Sequence, residues 1–169
     1  MEEKRERIFV FDTSSIIEIK KSPKHLQEKI VFEMNILVND GKLFYPKQVV
    51  DELKHETRTN RNAPDLPFKW ADQHASQATC RDVSLQEVKD ILKQVSDVID
   101  PQKKDKEEAD PYILALANQL KSKGLNASVV TDDRRDKQFK LSLQSACGIL
   151  DITCLHFFGF LRVVKLIEV

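Results

Sequence analysis

Short apolar runs alternate with amphipathic segments along most of the chain. Residues 8–11, 43–45 and 127–131 are rich in aromatic and β-branched side chains, which is typical of short buried strands. Between them, apolar residues recur at helical spacing, most regularly over residues 26–39. Strands that alternate with helices predict an α/β fold with a parallel sheet. The length of 169 residues favours one domain, so we predict a single domain over residues 1–169.

Local signals predict where several helices begin and end. Ser84 followed by Glu87 has the spacing of a capping box, ahead of an apolar helical stripe. Asp110 and Pro111 suit the N-cap and the first turn of another helix, and Gly124 suits its end.

Other stretches are less regular. Residues 57–67 are polar and contain two prolines, which predicts a loop. A helix is expected from just after Asp133 to about residue 146, ended by Gly148, with a last strand over residues 149–155. The tail from residue 157 onward is compatible with either a helix or a strand.

Five acidic residues stand out because of the elements they adjoin. Asp12 follows the first strand, and Asp132 and Asp133 follow the strand at 127–131. Glu52 lies in the helix after the second strand, and Asp110 opens a helix. Ligands of open parallel sheets bind at the carboxyl ends of the strands, where these side chains are expected to meet.

Carboxylates that converge on one edge repel each other, and divalent cations relieve this repulsion. Ligand sets made only of oxygen atoms select Mg²⁺ or Mn²⁺ rather than Zn²⁺. Such ions can activate water for phosphodiester cleavage. The pattern therefore predicts a Mg²⁺ or Mn²⁺ site.

The overall charge is evidence against the binding of nucleic acid. The chain has 27 basic and 27 acidic residues and a formal net charge of zero, whereas proteins that bind nucleic acid usually carry a basic excess. Nucleic-acid binding would have to use local patches or the cations of the acidic site. The candidates are two basic clusters, for which ordinary solvated surface is the favoured interpretation of each residue: Arg58, Arg61 and Lys69, and Arg134, Arg135 and Lys137.

In order along the chain, the segments VFDTSSIIEIK, VVDEL, ADPYILALA and VVTDD resemble the four signature blocks of the PIN-domain family, and in particular relatives of VapC-type toxins. The resemblance covers nearly the whole chain. It implies a three-layer α/β/α PIN-like fold with a central parallel sheet, and Mg²⁺- or Mn²⁺-dependent cleavage of RNA. It leaves open whether the chain is the toxin of a toxin–antitoxin pair, with an antitoxin and a second copy of itself as partners.

Carried over position by position, the resemblance makes Asp12, Glu52, Asp110 and Asp133 the catalytic, metal-binding residues. Ser14 and Thr131 match small polar positions that orient ligands or water. Asp132 lies between Thr131 and Asp133 and is an alternative to Asp133 as the fourth ligand.

Three of the acidic residues also have an ordinary structural explanation. Asp12 could be a turn residue, Glu52 a solvated helix residue and Asp110 only an N-cap. A non-catalytic RNA- or protein-binding module on the same fold is the alternative function. A phosphatase that forms an aspartyl-phosphate is disfavoured, because such an enzyme would need a second Asp where Ser14 stands.

The remaining composition bears on location. Cys80, Cys147 and Cys154 have no CxxC spacing, which favours buried free thiols in a reducing compartment over a disulfide framework. We identify neither a signal peptide nor an apolar stretch long enough to span a membrane. These observations predict a cytoplasmic protein.

Overall fold

The computed structural model describes residues 6–59, 65–103 and 107–168. Within these ranges a single parallel sheet is formed by the strands β1 Arg7–Phe11, β2 Leu43–Phe44, β3 Asn126–Val130 and β4 Thr153–Leu155. The strand order is β2-β1-β3-β4, and every neighbouring pair is parallel.

Helices flank this sheet and complete a three-layer α/β/α architecture, which confirms the predicted fold class. Those in the described ranges are α1 Thr13–Lys21, α2 Lys24–Asn39, α3 Lys47–Thr59, α4 Leu66–Gln73, α5 Ala75–Ala78, α6 Leu85–Gln94, α7 Asp110–Ser122, α8 Leu143–Ile149 and α9 Phe157–Val163. A 3-10 turn, Ser96–Val98, follows α6.

The central strands are buried, as expected for strands covered by helices. In β1, Phe9 and Phe11 share one face of the sheet, and both pack edge-on against Phe160 of α9, with ring centroids 5.0 and 4.8 Å apart. The helix α7 packs against β1 and β3. This packing holds fixed the two strands that end at the acidic residues.

Several predicted helix ends are confirmed. Ser84 and Glu87 form the capping box at the start of α6. Gly124 follows α7 with a φ of 78°, a backbone angle that glycine adopts without a steric penalty. The undecided tail begins as a helix, α9.

Other predictions were wrong in detail. The predicted loop at 57–67 was wrong at both ends, because α3 continues to Thr59 and α4 begins at Leu66, where Asp65 accepts a hydrogen bond from Phe68 N (3.3 Å). Residues 60–64 lie outside the described residues. The helix α1, directly after Asp12, was not predicted.

The segment after Asp133 differs most from its prediction. It is not helical until Leu143, where Ser142 caps α8 by accepting from Ser145 N (3.2 Å). Gly148 lies inside that helix rather than after it. The last strand is shortened to Thr153–Leu155, because the chain turns at Asp151, whose φ is 54°.

Two further findings concern the cysteines and membranes. All three thiols are free, with Cys147 buried and Cys154 half-buried, but Cys80 is exposed, so the prediction of burial was wrong for that residue. No helix in the part of the chain that the structure describes is long and apolar enough to cross a membrane.

Candidate functional site

A cleft opens where β1 and β3 end side by side. These strands pair in register from Arg7 with Asn126 to Phe11 with Val130, so Asp12 and Thr131 leave the sheet as neighbours. The chain runs from β1 outward to β2 and from β3 outward to β4, which makes the β1–β3 boundary the topological switch point. Ligands of open parallel sheets bind outside such points.

Asp12 lies at the bottom of the cleft with only 4% of its surface exposed. Its Oδ2 accepts hydrogen bonds from Ser14 Oγ (2.6 Å) and Thr131 Oγ1 (2.8 Å). Burial, together with the charges of Glu52 and Asp133, raises the pKa of this carboxyl to about 6, although the two hydrogen bonds act to lower it. Asp12 is thus held in place while negative charge surrounds it.

Glu52 reaches the cleft from α3 and is held at both oxygens. Thr13 Oγ1 donates to its Oε2, and Ala109 N donates to its Oε1 at 2.9 Å. The second bond links α3 to the start of α7. Glu52 is therefore not an ordinary solvated helix residue.

Asp110 is the first residue of α7 rather than its N-cap, because Ala109 takes that position. The expectation that Asp110 caps the helix was therefore wrong. Its side chain is 14% exposed. Burial and the charges of Asp12 and Glu52 together raise its pKa to about 7, although the ion pair with Lys140 acts to lower it.

Asp132 and Asp133 point in different directions. Asp133 lines the cleft, and its Oδ2 accepts from Leu143 N at 2.9 Å. Asp132 does not line the cleft, since its Oδ2 accepts from Ser15 Oγ (2.8 Å) and from Phe157 N (3.3 Å). The geometry makes Asp133 the acidic partner of Asp12 and gives Asp132 a structural role between α1 and α9.

Lys140 enters the same cleft, which sequence analysis did not anticipate. Its Nζ donates to Asp110 Oδ2 (2.9 Å) and lies 3.5 Å from Asp133 Oδ2, with its side chain 15% exposed. Burial acts to lower the pKa of Lys140, but the Asp110 carboxylate outweighs it and raises the pKa to about 12. Lys140 therefore remains charged among the carboxylates.

The cleft has a volume of about 690 Å³. Besides the four candidate residues, its lining includes five other acidic side chains and four basic ones. The acidic side chains are Asp51, Glu56, Asp100, Glu107 and Glu108, and the basic ones, which project from loops, are Lys103, Arg135, Lys137 and Lys140. Arg135 and Lys137 belong to the basic run predicted after Asp133, and both are exposed. Of the other predicted basic cluster, Arg61 and the side chain of Arg58 lie outside the described residues.

A family model described as a domain of unknown function, DUF4411, matches residues 9–166. The chain belongs to the DUF4411 family. No curated protein and no solved structure matches it. The match spans all four acidic positions of the cleft, and because the family's description states no activity, the resemblance to PIN domains stays a prediction.

Whether this DUF4411 cleft suits a metal ion depends on its donors and their arrangement. Four carboxylates meet in the cleft, where burial and the neighbouring negative charges raise the pKa values of Asp12 and Asp110. Such a set of oxygen donors fits Mg²⁺ or Mn²⁺. Across residues 6–59, 65–103 and 107–168, however, no three His, Cys, Asp or Glu side chains are arranged to hold a metal ion. Glu52 accepts hydrogen bonds from Thr13 and Ala109, and Lys140 donates hydrogen bonds to Asp110 and Asp133. The chemistry of the donors fits, and the lysine takes up the charge that a cation would neutralise.

Thr13 and Lys140, which bind the acidic residues of the DUF4411 site directly, were not predicted from the sequence. Thr13 lies next to Asp12, but its bond to Glu52 joins positions 39 residues apart and no local pattern indicates it. For Lys140, a usable signal was Ser142 ahead of Leu143, a typical N-cap that begins α8 late and leaves Lys140 in a loop.

Proposed function

We propose that the chain is a Mg²⁺- or Mn²⁺-dependent endoribonuclease of the PIN type, with Asp12, Glu52, Asp110 and Asp133 as its metal-binding, catalytic residues. One observation carries this proposal. Carboxylates from four separate elements meet at the switch point of a parallel sheet, with the pKa of Asp12 raised to about 6 and that of Asp110 to about 7. Such perturbed carboxyls in a cleft favour a functional site.

The protein's own residues position the reacting groups. Ser14 and Thr131 fix the Asp12 carboxylate, while Thr13 and the Ala109 amide fix Glu52. The chemistry that Mg²⁺ or Mn²⁺ supplies when bound is Lewis acidity, which makes water a better nucleophile and offsets charge on the phosphate. With such ions, hydrolysis of a phosphodiester needs no nucleophile from the protein.

The basic side chains at the cleft support the proposal that the substrate is a polyanion. Lys103, Arg135 and Lys137 are positively charged side chains in a lining that also holds nine carboxylates, so the binding of phosphates depends on these three side chains and on bound cations. Contacts to phosphates from such side chains position a nucleic acid without reading its sequence. The choice of RNA rests on the PIN resemblance, as do the partners that we propose, an antitoxin protein and a second copy of the chain. The three free thiols favour a cytoplasmic location.

A non-catalytic binding module is the second candidate function. The specific observation in its favour is Lys140, which satisfies Asp110 and Asp133 without a metal ion. On this alternative the cleft is a structural ion-pair network, and RNA or a protein binds its rim. The two functions differ in whether divalent cations bind.

Cleavage of RNA tests the proposal. We expect a labelled pool of single-stranded RNA to be cut by the wild-type protein in Mn²⁺ or Mg²⁺ and left intact in EDTA. Mn²⁺ should also raise the melting temperature, because a ligand that binds only the folded state stabilises it. Absence of both cleavage and a melting shift would contradict the proposal and favour the binding module. A melting shift without cleavage would support the metal site and indicate that the pool lacks the target.

A further inference from the structure

Both backbone hydrogen bonds and the ion pairs with the carboxylates hold Lys140 in position. It lies in the segment between β3 and α8, where Lys137 N donates to Lys140 O (2.8 Å) and Lys140 N donates to Lys137 O (3.2 Å). The next residue, Leu141, donates its N–H to Asp97 O at 2.7 Å. These bonds direct one lysine of an otherwise exposed basic loop into the cleft.

The ammonium group and a divalent cation would compete for the same oxygens. Lys140 Nζ lies 2.9 Å from Asp110 Oδ2 and 3.5 Å from Asp133 Oδ2. A Mg²⁺ ion needs its oxygen ligands at about 2.0–2.1 Å and in a near-octahedral arrangement. An ammonium bonded to both carboxylates leaves no room for that ion between them, and its positive charge opposes the approach of a second cation.

We propose that Lys140 is a built-in counter-cation, which pairs with Asp110 and Asp133 until a divalent cation displaces it and which thereby weakens the cation affinity of the cleft. This inference rests on the proposed metal site. The side chain can leave the cleft without breaking the bonds that hold the loop, because these are made by backbone atoms and by the side chains of Asp133 and Asp136, not by the Lys140 ammonium. Lys140 then acts as a positioning residue that keeps the carboxylates ordered and partly neutralised in the metal-free protein.

Mn²⁺ binding to Lys140→Met, measured by calorimetry without RNA, tests the inference. Methionine keeps much of the length of the side chain and removes its charge. We expect Lys140→Met to bind Mn²⁺ about tenfold more tightly than wild type, since a charge fixed among partly buried carboxylates acts more strongly than a solvated one. Lys89→Met, which removes the same charge from an exposed position on α6, should change the affinity less than about twofold.

A second measurement uses the wild-type protein and does not depend on whether Lys140→Met folds. Nuclear magnetic resonance spectra that select lysine ammonium groups should show a protected Lys140 signal, identified by its absence from Lys140→Arg. Addition of Mg²⁺ should shift this signal and abolish its protection from exchange with water.

The outcomes separate the two proposals. Equal or weaker Mn²⁺ binding by Lys140→Met, or an unchanged Lys140 signal while Mg²⁺ binds, would overturn the counter-cation and leave the metal site standing. Absence of Mn²⁺ binding by both wild type and Lys140→Met would overturn the metal site as well. Mn²⁺ binding by Lys140→Met but not by the wild-type protein would support the counter-cation, because Lys140 would then prevent binding altogether.

Discussion

Substitution of Asp12 by asparagine is expected to lower metal-dependent RNA cleavage about a thousandfold, because a bound cation contributes several kcal/mol to stabilising the transition state and about 1.4 kcal/mol corresponds to tenfold in rate. The fold should persist. The amide oxygen of the substituted side chain can still accept from Ser14 and Thr131, and the variant lacks a buried charge that Glu52 and Asp133 repel. The measurement is kcat/KM on RNA in Mn²⁺ beside the melting temperature without metal.

Asp51→Asn is the matched control for Asp12. Asp51 lines the same cleft and precedes Glu52, but it is exposed and the described contacts of the site do not include it. The same loss of one negative charge there should change cleavage only a few-fold, through the weaker effect of a solvent-screened charge. A folded Asp12→Asn protein that cleaves RNA as wild type does would refute the assignment of Asp12.

Asp132 and Asp133 should give opposite results although they are neighbours in sequence. We expect Asp133→Asn to lower metal-dependent cleavage about a hundredfold or more, through loss of a charged ligand from the cation site. Asp132→Ala should instead lower the free energy of unfolding by about 1–3 kcal/mol, because it leaves the buried Ser15 hydroxyl and the Phe157 N–H without their acceptor.

The pair is compared by two readouts, denaturant unfolding and the shift in melting temperature caused by Mn²⁺. Asp132→Ala should keep the Mn²⁺ shift and lose stability, whereas Asp133→Asn should lose most of the shift. The reverse pattern would show that Asp132 is the ligand, which is the alternative that the sequence left open.

The strands and the convergence of the acidic residues could be predicted because both follow from local pattern and sheet topology. A buried run such as 8–11 indicates a central strand, and parallel pairing then brings its carboxyl end beside that of 127–131. The positions of Asp12 and Asp133 follow from this rule alone. The helix ends at Ser84 and Gly124 could be predicted for a similar reason, because each residue affects only the turn of helix next to it.

Contacts that depend on the path of a loop could not be predicted. The segment after Asp133 contains residues that tolerate helix, so its pattern indicated a helix, whereas backbone bonds to Asp97 and within the loop give it another course. The ion pairs of Lys140 with Asp110 and Asp133 exist only because of that course. The neutral net charge was equally uninformative, because it averages an acidic cleft with basic loops around it.

The claim that Asp12, Glu52, Asp110 and Asp133 form one divalent-cation site is tested most directly by locating Mn²⁺ in crystals of the protein through its anomalous scattering. We predict an anomalous peak in the cleft, bound by the carboxylate of Asp12 and by Asp110 or Asp133, with the Lys140 ammonium moved away from both. A cleft without a peak at saturating Mn²⁺, with Lys140 still paired to Asp110 and Asp133, would contradict the claim.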